Sequence, residues 1–467
     1  MANRFQFSWK LWLLLSIVLD SAKSLKSTRW PMYQNKPLLL AWNAPTEDCK
    51  PRYGVEFQLD PFHIVASPSE SFVKQNLTIF YKDRLGFYPY YDENSNPING
   101  GLPQSASLTQ HLEKLPTDIK KYMPDTAAPG LAVIDWEEWR PLWIRNWDTK
   151  AIYKKQSILI VSQKNPTWDN ITVAKVAQQE FELSARNFML DTLRYAKSLR
   201  PNQLWGFYLF PDCYNHDYLQ SMESYTGGCP DPELARNDQL NWLWKESTAL
   251  FPSIYIGSIL RSTTYVRYFV RNRIKEGMRV ASLEKYLAHP VYVYARPTYA
   301  NELTELTESD LVSTIGESVA LGVAGIVLWG DSSYAQNSTT CSTLAEYVQG
   351  PLGRYLLNVT RAAEECSRIV CKSHGRCLRK NSDSDSYLHL NPQSYSIVMA
   401  GNKLTVTGST ESKDENRMKE DFMCQCFSGY MGEKCKLLDP FYKNGHGQKL
   451  EALWGLILLF TLVTLLS

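Results

Sequence analysis

Three carboxylates crowd the end of an apolar run in the segment GLAVIDWEEWRP, residues 130–141. Leu131–Ile134 reads as a buried strand, and Asp135, Glu137 and Glu138 follow it almost at once. Carboxylates in that position must be solvated, paired or put to use. Residues two apart in an extended chain share a side, so Asp135 and Glu137 can face one cleft while Trp136 and Glu138 point elsewhere. Two adjacent carboxyls do not both ionise cheaply: one keeps a proton and the pair titrates as a unit. A retained proton is what a general acid needs. Taken alone, the segment fits equally well a solvated strand end whose charge Arg140 neutralises by pairing with Asp135 or Glu138.

The neighbours shift that balance. Trp136, Trp139, Trp143 and Trp147 fall within thirteen positions, and Tyr208, Tyr255 and Trp329 each follow an apolar run of their own. Aromatic faces stack on sugar rings and phenol hydroxyls hold amides, so a cleft of this composition points to glycoside chemistry. Each aromatic singly also suits core packing.

These residues need elements to hold them. The runs PLLLAWNAP (37–45), LTIFY (77–81), GLAVIDW (130–136), LWGFYLFP (204–211), PSIYIGS (252–258), PVYVYARP (290–297) and GVAGIVLWGD (322–331) read as strands apolar on consecutive residues, as strands covered on both faces are. Between them, Ala177, Phe181, Ala185, Met189, Leu193 and Ala196 recur at helical steps, predicting a helix over 173–199 closed by Pro201. The alternation predicts an α/β fold, a barrel of the triosephosphate isomerase type with chemistry at the C-terminal strand ends; a doubly wound open sheet is the alternative.

The termini and the cysteines set the compartment. Residues 1–24 read as a secretory signal, with Arg4 and Lys10 before an apolar run and Ala22-Lys23-Ser24 at a cleavage-site spacing. The apolar run 452–467 follows a polar stalk at 439–451, an order that suits a glycosylphosphatidylinositol anchor signal, with a C-terminal membrane span as the rival. Ten cysteines in an exported chain argue for five disulfides, and sequons stand at Asn76, Asn170, Asn337 and Asn358. With 50 basic against 48 acidic residues, no global field points to nucleic acid. From residue 361 to 438 the chain is cysteine-rich, with spacings C-x4-C-x5-C and C-x-C-x8-C that resemble an EGF-like module. That module's pattern would pair Cys366 with Cys377, Cys371 with Cys424, and Cys426 with Cys435. Residues 377–424 are longer than the module needs and predict extra strands or a loop. No C-x2-C pair occurs, which disfavours zinc.

GLAVIDWEEWRP, LWGFYLFPDCYNHDY, RNDQLNWLW, STALFPSIY, STIGESVALGVAGIVLWGD and the cysteine-rich tail together resemble the vertebrate hyaluronidases, over about Lys36 to Cys435. FVKQNLTIFYKDRLG, SYTGGCPD and RPTY are most similar to the family's lipid-anchored branch. The resemblance implies a catalytic (β/α) barrel over 25–360 and cleavage of β-1,4 linkages in hyaluronan. The mechanism it implies is retaining and substrate-assisted, with the acetamide as nucleophile and no metal or organic cofactor. It implies Glu137 as acid and base, Asp135 as the carboxylate sharing its proton, and Tyr208 as the group aligning the acetamide. Tyr255 and Trp329 would line the acetamide pocket, and Arg273 and Tyr88 the groove for a polyanion. It also pairs Cys49 with Cys341 and Cys213 with Cys229. Glu138 receives no chemistry, and Phe251 stands where relatives often have tyrosine. Two other readings stay open: a cell-surface receptor or adhesion protein with weak turnover, and a hydrolase acting on chondroitin. Activity is expected to be better at acid pH. The expected location is the extracellular face of the plasma membrane, with lysosomal or secreted forms as alternatives.

Overall fold

The computed structural model of the chain describes residues 25–67, 76–401, 403–440 and 442. The expected signal segment, most of the polar stalk and the C-terminal apolar run lie outside the described residues. Among the described residues no helix is long and apolar enough to cross a membrane.

The apolar runs fold as parallel strands. They are β1 (Leu39–Asn43), β2 (Ile64–Val65), β3 (Leu77–Phe80), β4 (Gly130–Ile134), β5 (Gln203–Phe207), β6 (Tyr292–Ala295) and β7 (Gly325–Trp329). They pair in the orders β2-β1-β7-β6 and β3-β4-β5. Isolated parallel bridges Tyr208–Phe251, Leu250–Val291 and Ser253–Tyr294 set residues 250–253 between β5 and β6. The expected strand at 252–258 is therefore reduced to single bridges around Pro252. Proline has no N–H to give a ladder. Strand β2 escaped notice because two residues carry no period.

Every residue of β1, β3 and β4 is buried, as parallel strands covered on both faces should be. The helices between and around them include α1 (Leu108–Tyr122), α2 (Ala151–Lys164), which packs on α3 (Asn170–Leu199), and α4 (Thr264–Ala281). Helix α3 buries the expected stripe from Val173 to Ala196. It starts three residues earlier than expected, because Asp169 caps it by accepting from the N–H groups of Ile171 and Thr172.

Helix α5 (Gly353–Ile369) runs straight through residue 361, where the composition changes, and carries Cys366 into the cysteine-rich segment. Beyond it, β8 (Gly375–Arg379) pairs antiparallel with β11 (Phe422–Cys426), and β9 (Tyr395–Ala400) with β10 (Lys403–Gly408). The disulfides are Cys49–Cys341, Cys213–Cys229, Cys366–Cys377, Cys371–Cys424 and Cys426–Cys435. Asn76, Asn170 and Asn337 are exposed; Asn358 is half-buried and accepts from the Leu390 N–H at 3.0 Å.

The cysteine-rich segment is bonded to the rest of the chain. Thr28 N–H donates to the Cys426 carbonyl at 2.9 Å, and Ser428 N–H donates to the Thr28 carbonyl at 2.8 Å. More telling is Glu317, whose side chain is fully buried. It accepts from Arg271 Nε at 2.7 Å and Arg379 Nη1 at 3.1 Å, so one carboxylate bridges an arginine from α4 and another from β8. Glu317→Ala would leave buried Arg379 without its ion-pair partner and Arg271 with only Asp385, 3.3 Å away. It is expected to cost about 3–5 kcal/mol, read as a large fall in midpoint in thermal or urea unfolding. A change within about 0.5 kcal/mol, the usual range for surface positions, would contradict this account.

Candidate active site

Parallel strands leave their last carbonyls at one end, and the backbone just beyond completes them. Asp135 N–H donates to the Phe80 carbonyl at the end of β3, and Tyr208 N–H to the Ile134 carbonyl at the end of β4, both at 2.9 Å. Each side chain is thereby set by its neighbour's strand. Trp329 closes β7 in register with Asn43, and Tyr255 follows the Ser253–Tyr294 bridge. Asp135, Tyr208, Tyr255 and Trp329 thus lie at the same end of the parallel strands.

Their rings make one surface. Tyr255 and Trp329 stack at 5.6 Å with planes 16° apart, and Tyr208 lies 6.2 Å from Tyr255. The Tyr208 hydroxyl donates to Ser253 Oγ at 3.4 Å, and the Trp329 indole to the Tyr81 hydroxyl at 3.0 Å. Burial raises the pKa of all three phenols, with the Glu137 charge adding to it at Tyr208; Tyr81 is pushed up to about 12. Each phenol keeps its O–H. Tyr81 was missed in the sequence, although it stands directly after an apolar run, as Asp135 and Tyr208 do.

The carboxylates separate by environment. Burial first, then the charges of Glu137 and Glu138, hold the Asp135 carboxyl well above the ordinary carboxylate range; Arg140 opposes them. Asp135 Oδ1 is buried and meets no hydrogen-bond partner among the described residues. Glu137 has a half-exposed side chain (50%), and its Oε1 lies 3.4 Å from Arg140 Nη2. The expected pairing of Arg140 with Asp135 or Glu138 is corrected here. The turn after β4 brings position i+3 back to Glu137, and the Arg140 guanidinium also donates to the Glu137 carbonyl at 3.0 Å. Glu138 pairs instead with Lys82 at 2.9 Å.

Not all the aromatics face the cleft. Trp136 and Trp139 are buried, and Tyr88, fully buried, stacks on them with centroids at 4.5 and 5.3 Å. Tyr88, expected in the groove, is instead packed in the interior, and its full burial leaves a ligand no access to its ring. Trp147 does reach a cavity of about 420 Å³, which Tyr208, Tyr255, Arg140, Lys150 and Arg273 also line. The Arg273 guanidinium is held there by Asn215 Oδ1 at 2.8 Å and the Ser253 carbonyl at 3.1 Å. Among the described residues no group of three or more histidine, cysteine or acidic side chains is placed to hold a metal ion.

A site of this kind, a carboxyl held toward its protonated form beside an exposed carboxylate and near an aromatic surface, is suited to acid–base cleavage of a glycoside. The family model for hyaluronidases, a glycoside hydrolase family, matches residues 27–439. Hyaluronidase-2 of Homo sapiens is 48% identical over 429 residues, covering 91% of this chain and 91% of that protein. Hyaluronidase-1 of Bitis arietans is 48% identical over 412 residues, 87% of this chain and 92% of its own length. Among solved structures, bee venom hyaluronidase in complex with a hyaluronic acid tetramer superposes with a TM-score of 0.63 at 31% identity, covering 68% of this chain and 98% of that one. The chain is a glycoside hydrolase by fold and by sequence. It belongs to the hyaluronidase family.

Because the folded state disfavours ionised Asp135, folding is opposed above the ordinary carboxylate range and is relieved as pH falls through it. Asp135→Asn, which mimics the neutral carboxyl, is expected to unfold at an equal or higher temperature than the parent at pH 7. The advantage should shrink toward pH 4. Thermal unfolding across that range checks it, and a variant less stable at pH 7 than at pH 4, relative to the parent, would contradict it.

Proposed function

We propose that this chain is an endo-β-N-acetylhexosaminidase that hydrolyses the β-1,4 linkage between N-acetylglucosamine and glucuronate in hyaluronan. The observation that carries the reading is the Asp135–Glu137 pair at the strand ends, one carboxyl with a raised pKa from burial and its neighbour's charge, the other facing solvent. Glu137 takes the shared proton and gives it to the leaving glycosidic oxygen. Asp135, left negative, stabilises the charge that develops on the acetamide nitrogen. The acetamide oxygen attacks C1 and displaces the leaving sugar, so the substrate supplies the nucleophile. Tyr208 aligns the acetamide through its phenol, and Tyr255 and Trp329 wall its pocket. Water then opens the cyclic intermediate at C1 and gives its proton back to Glu137, with retention of configuration. Arg273, in the cavity beyond Tyr208, holds a glucuronate carboxylate.

The same reading takes the parallel strands as a (β/α) barrel, supported by the bridges through residues 250–253, and residues 361–438 as an EGF-like module, supported by its disulfide pairing. The leader and the C-terminal apolar run, read from sequence, support an enzyme held by a lipid anchor at the outer face of the plasma membrane.

The test is hyaluronan chain-length reduction from pH 3.5 to 7.5, with the parent and folded Glu137→Gln. Loss of one acid–base group predicts a fall of roughly 10²–10⁴-fold. The parent should release N-acetylglucosamine ends first as the β anomer, with a rate that declines as the pair loses its proton at higher pH. An unchanged rate in the variant would overturn the assignment of Glu137. Binding without any shortening would make the chain a receptor. A comparable yield of N-acetylgalactosamine ends from chondroitin would widen the substrate class.

A further inference from the structure

Three of the five N–H donors of the Arg273 guanidinium are engaged by the protein itself. Nε donates to Asn215 Oδ1 at 2.8 Å and Nη1 to the Ser253 carbonyl at 3.1 Å, with Asp212 Oδ1 3.6 Å from Nη1. Nη2 meets Nε2 of His216 at 2.9 Å. Arginine has no acceptor, so this contact is a hydrogen bond only if His216 Nε2 is unprotonated. The imidazole is thus neutral, with its hydrogen on Nδ1, 3.4 Å from the Tyr218 hydroxyl. Both His216 and Arg273 line the cavity of about 420 Å³ that also contains Tyr208 and Tyr255.

We infer that His216 is a positioning residue that gates Arg273: neutral, it occupies one of the two Nη2 N–H donors, and protonated, it releases that donor and adds an N–H of its own toward the same anion. Carboxylate binding in the cavity is then linked to uptake of a proton by His216. The inference rests on the reading of Arg273 as a groove residue given above.

The groups facing the imidazole set where this happens. Helix α4 contributes Arg273 and the Phe269 ring at 5.5 Å; its own loop contributes Asp212, Asp217, Tyr214 and Tyr218; the segment after β4 contributes Arg145. Burial, and after it the Arg273 charge, lower the His216 pKa to about 4, against the pull of Asp212 and Asp217. In the unliganded protein the gate is therefore shut at neutral pH and opens in acid. An anion seated between the two cations favours the protonated imidazole and raises that midpoint, so proton uptake on binding is greatest just above it.

The experiment is calorimetric binding of a hyaluronan hexasaccharide to the detergent-solubilised full chain carrying Glu137→Gln, with and without His216→Gln, from pH 4 to 6.5. Repeating it in buffers of different ionisation enthalpy counts the protons taken up. His216 should give a Kd that tightens by roughly tenfold as pH falls across this range, with proton uptake near pH 5. His216→Gln keeps an acceptor for Arg273 without a titrating group, so its Kd should stay flat, and its proton uptake should be smaller by the share His216 supplies. His216→Phe, measured in parallel, should likewise bind without the pH slope and serves where the glutamine variant does not fold. The same pH slope and proton count with and without His216 would overturn the inference. Turnover by the parent, assayed separately, judges the proposed function independently of this result.

Discussion

A carboxyl shut away from water beside another carboxylate keeps its proton, and the architecture around Asp135 serves that condition. Its backbone is held by the Phe80 carbonyl, and its Oδ1 is buried. Trp136, the next residue, is buried in a stacked layer with Tyr88 and Trp139.

Cations are distributed so as not to spoil it. Arg140 acts on Asp135 only as a weaker opposing charge and makes its contacts with Glu137; Lys82 takes Glu138. Arg273, on α4, is engaged by Asn215, Ser253 and His216. A cation in direct contact with Asp135 would strip its proton and turn the pair into two carboxylates with nothing to donate. Holding positive charge along the cavity wall, yet away from the buried carboxyl, lets one cleft accommodate a polyanion and still store a proton.

Much of this was legible in the sequence, for physical reasons that also mark where legibility stopped. Runs such as 77–81, 130–136 and 204–211 announce strands because burial on both faces leaves no room for polar residues, and the residue after each run is where a parallel strand presents its chemistry. That rule marks Asp135 and Tyr208, and it would have marked Tyr81. Tyr88 was misplaced because an aromatic ring serves a groove and a core with the same local pattern; only the stacking with Trp136 and Trp139 decides. Arg140 was given the wrong partner because the winding of a turn is invisible to spacing alone. Cysteine density marked a change in chemistry at 361, whereas the backbone of α5 passes through it unbroken. The Arg271–Glu317–Arg379 cluster, which joins distant stretches of chain, leaves no local trace at all.

The central claim is that the proton of the pair resides on Asp135 because of burial and the Glu137 charge. Site-selective carbon-13 labelling of the aspartate carboxyls, with Asp135 assigned by comparison with Asp135→Asn, reads it directly as a titration curve. The account predicts that Asp135 titrates well above the ordinary carboxylate range of about 4, and that Glu137→Gln lowers its midpoint without bringing it back to that range. A midpoint near 4 in the parent, unmoved by the loss of the Glu137 charge, would contradict it.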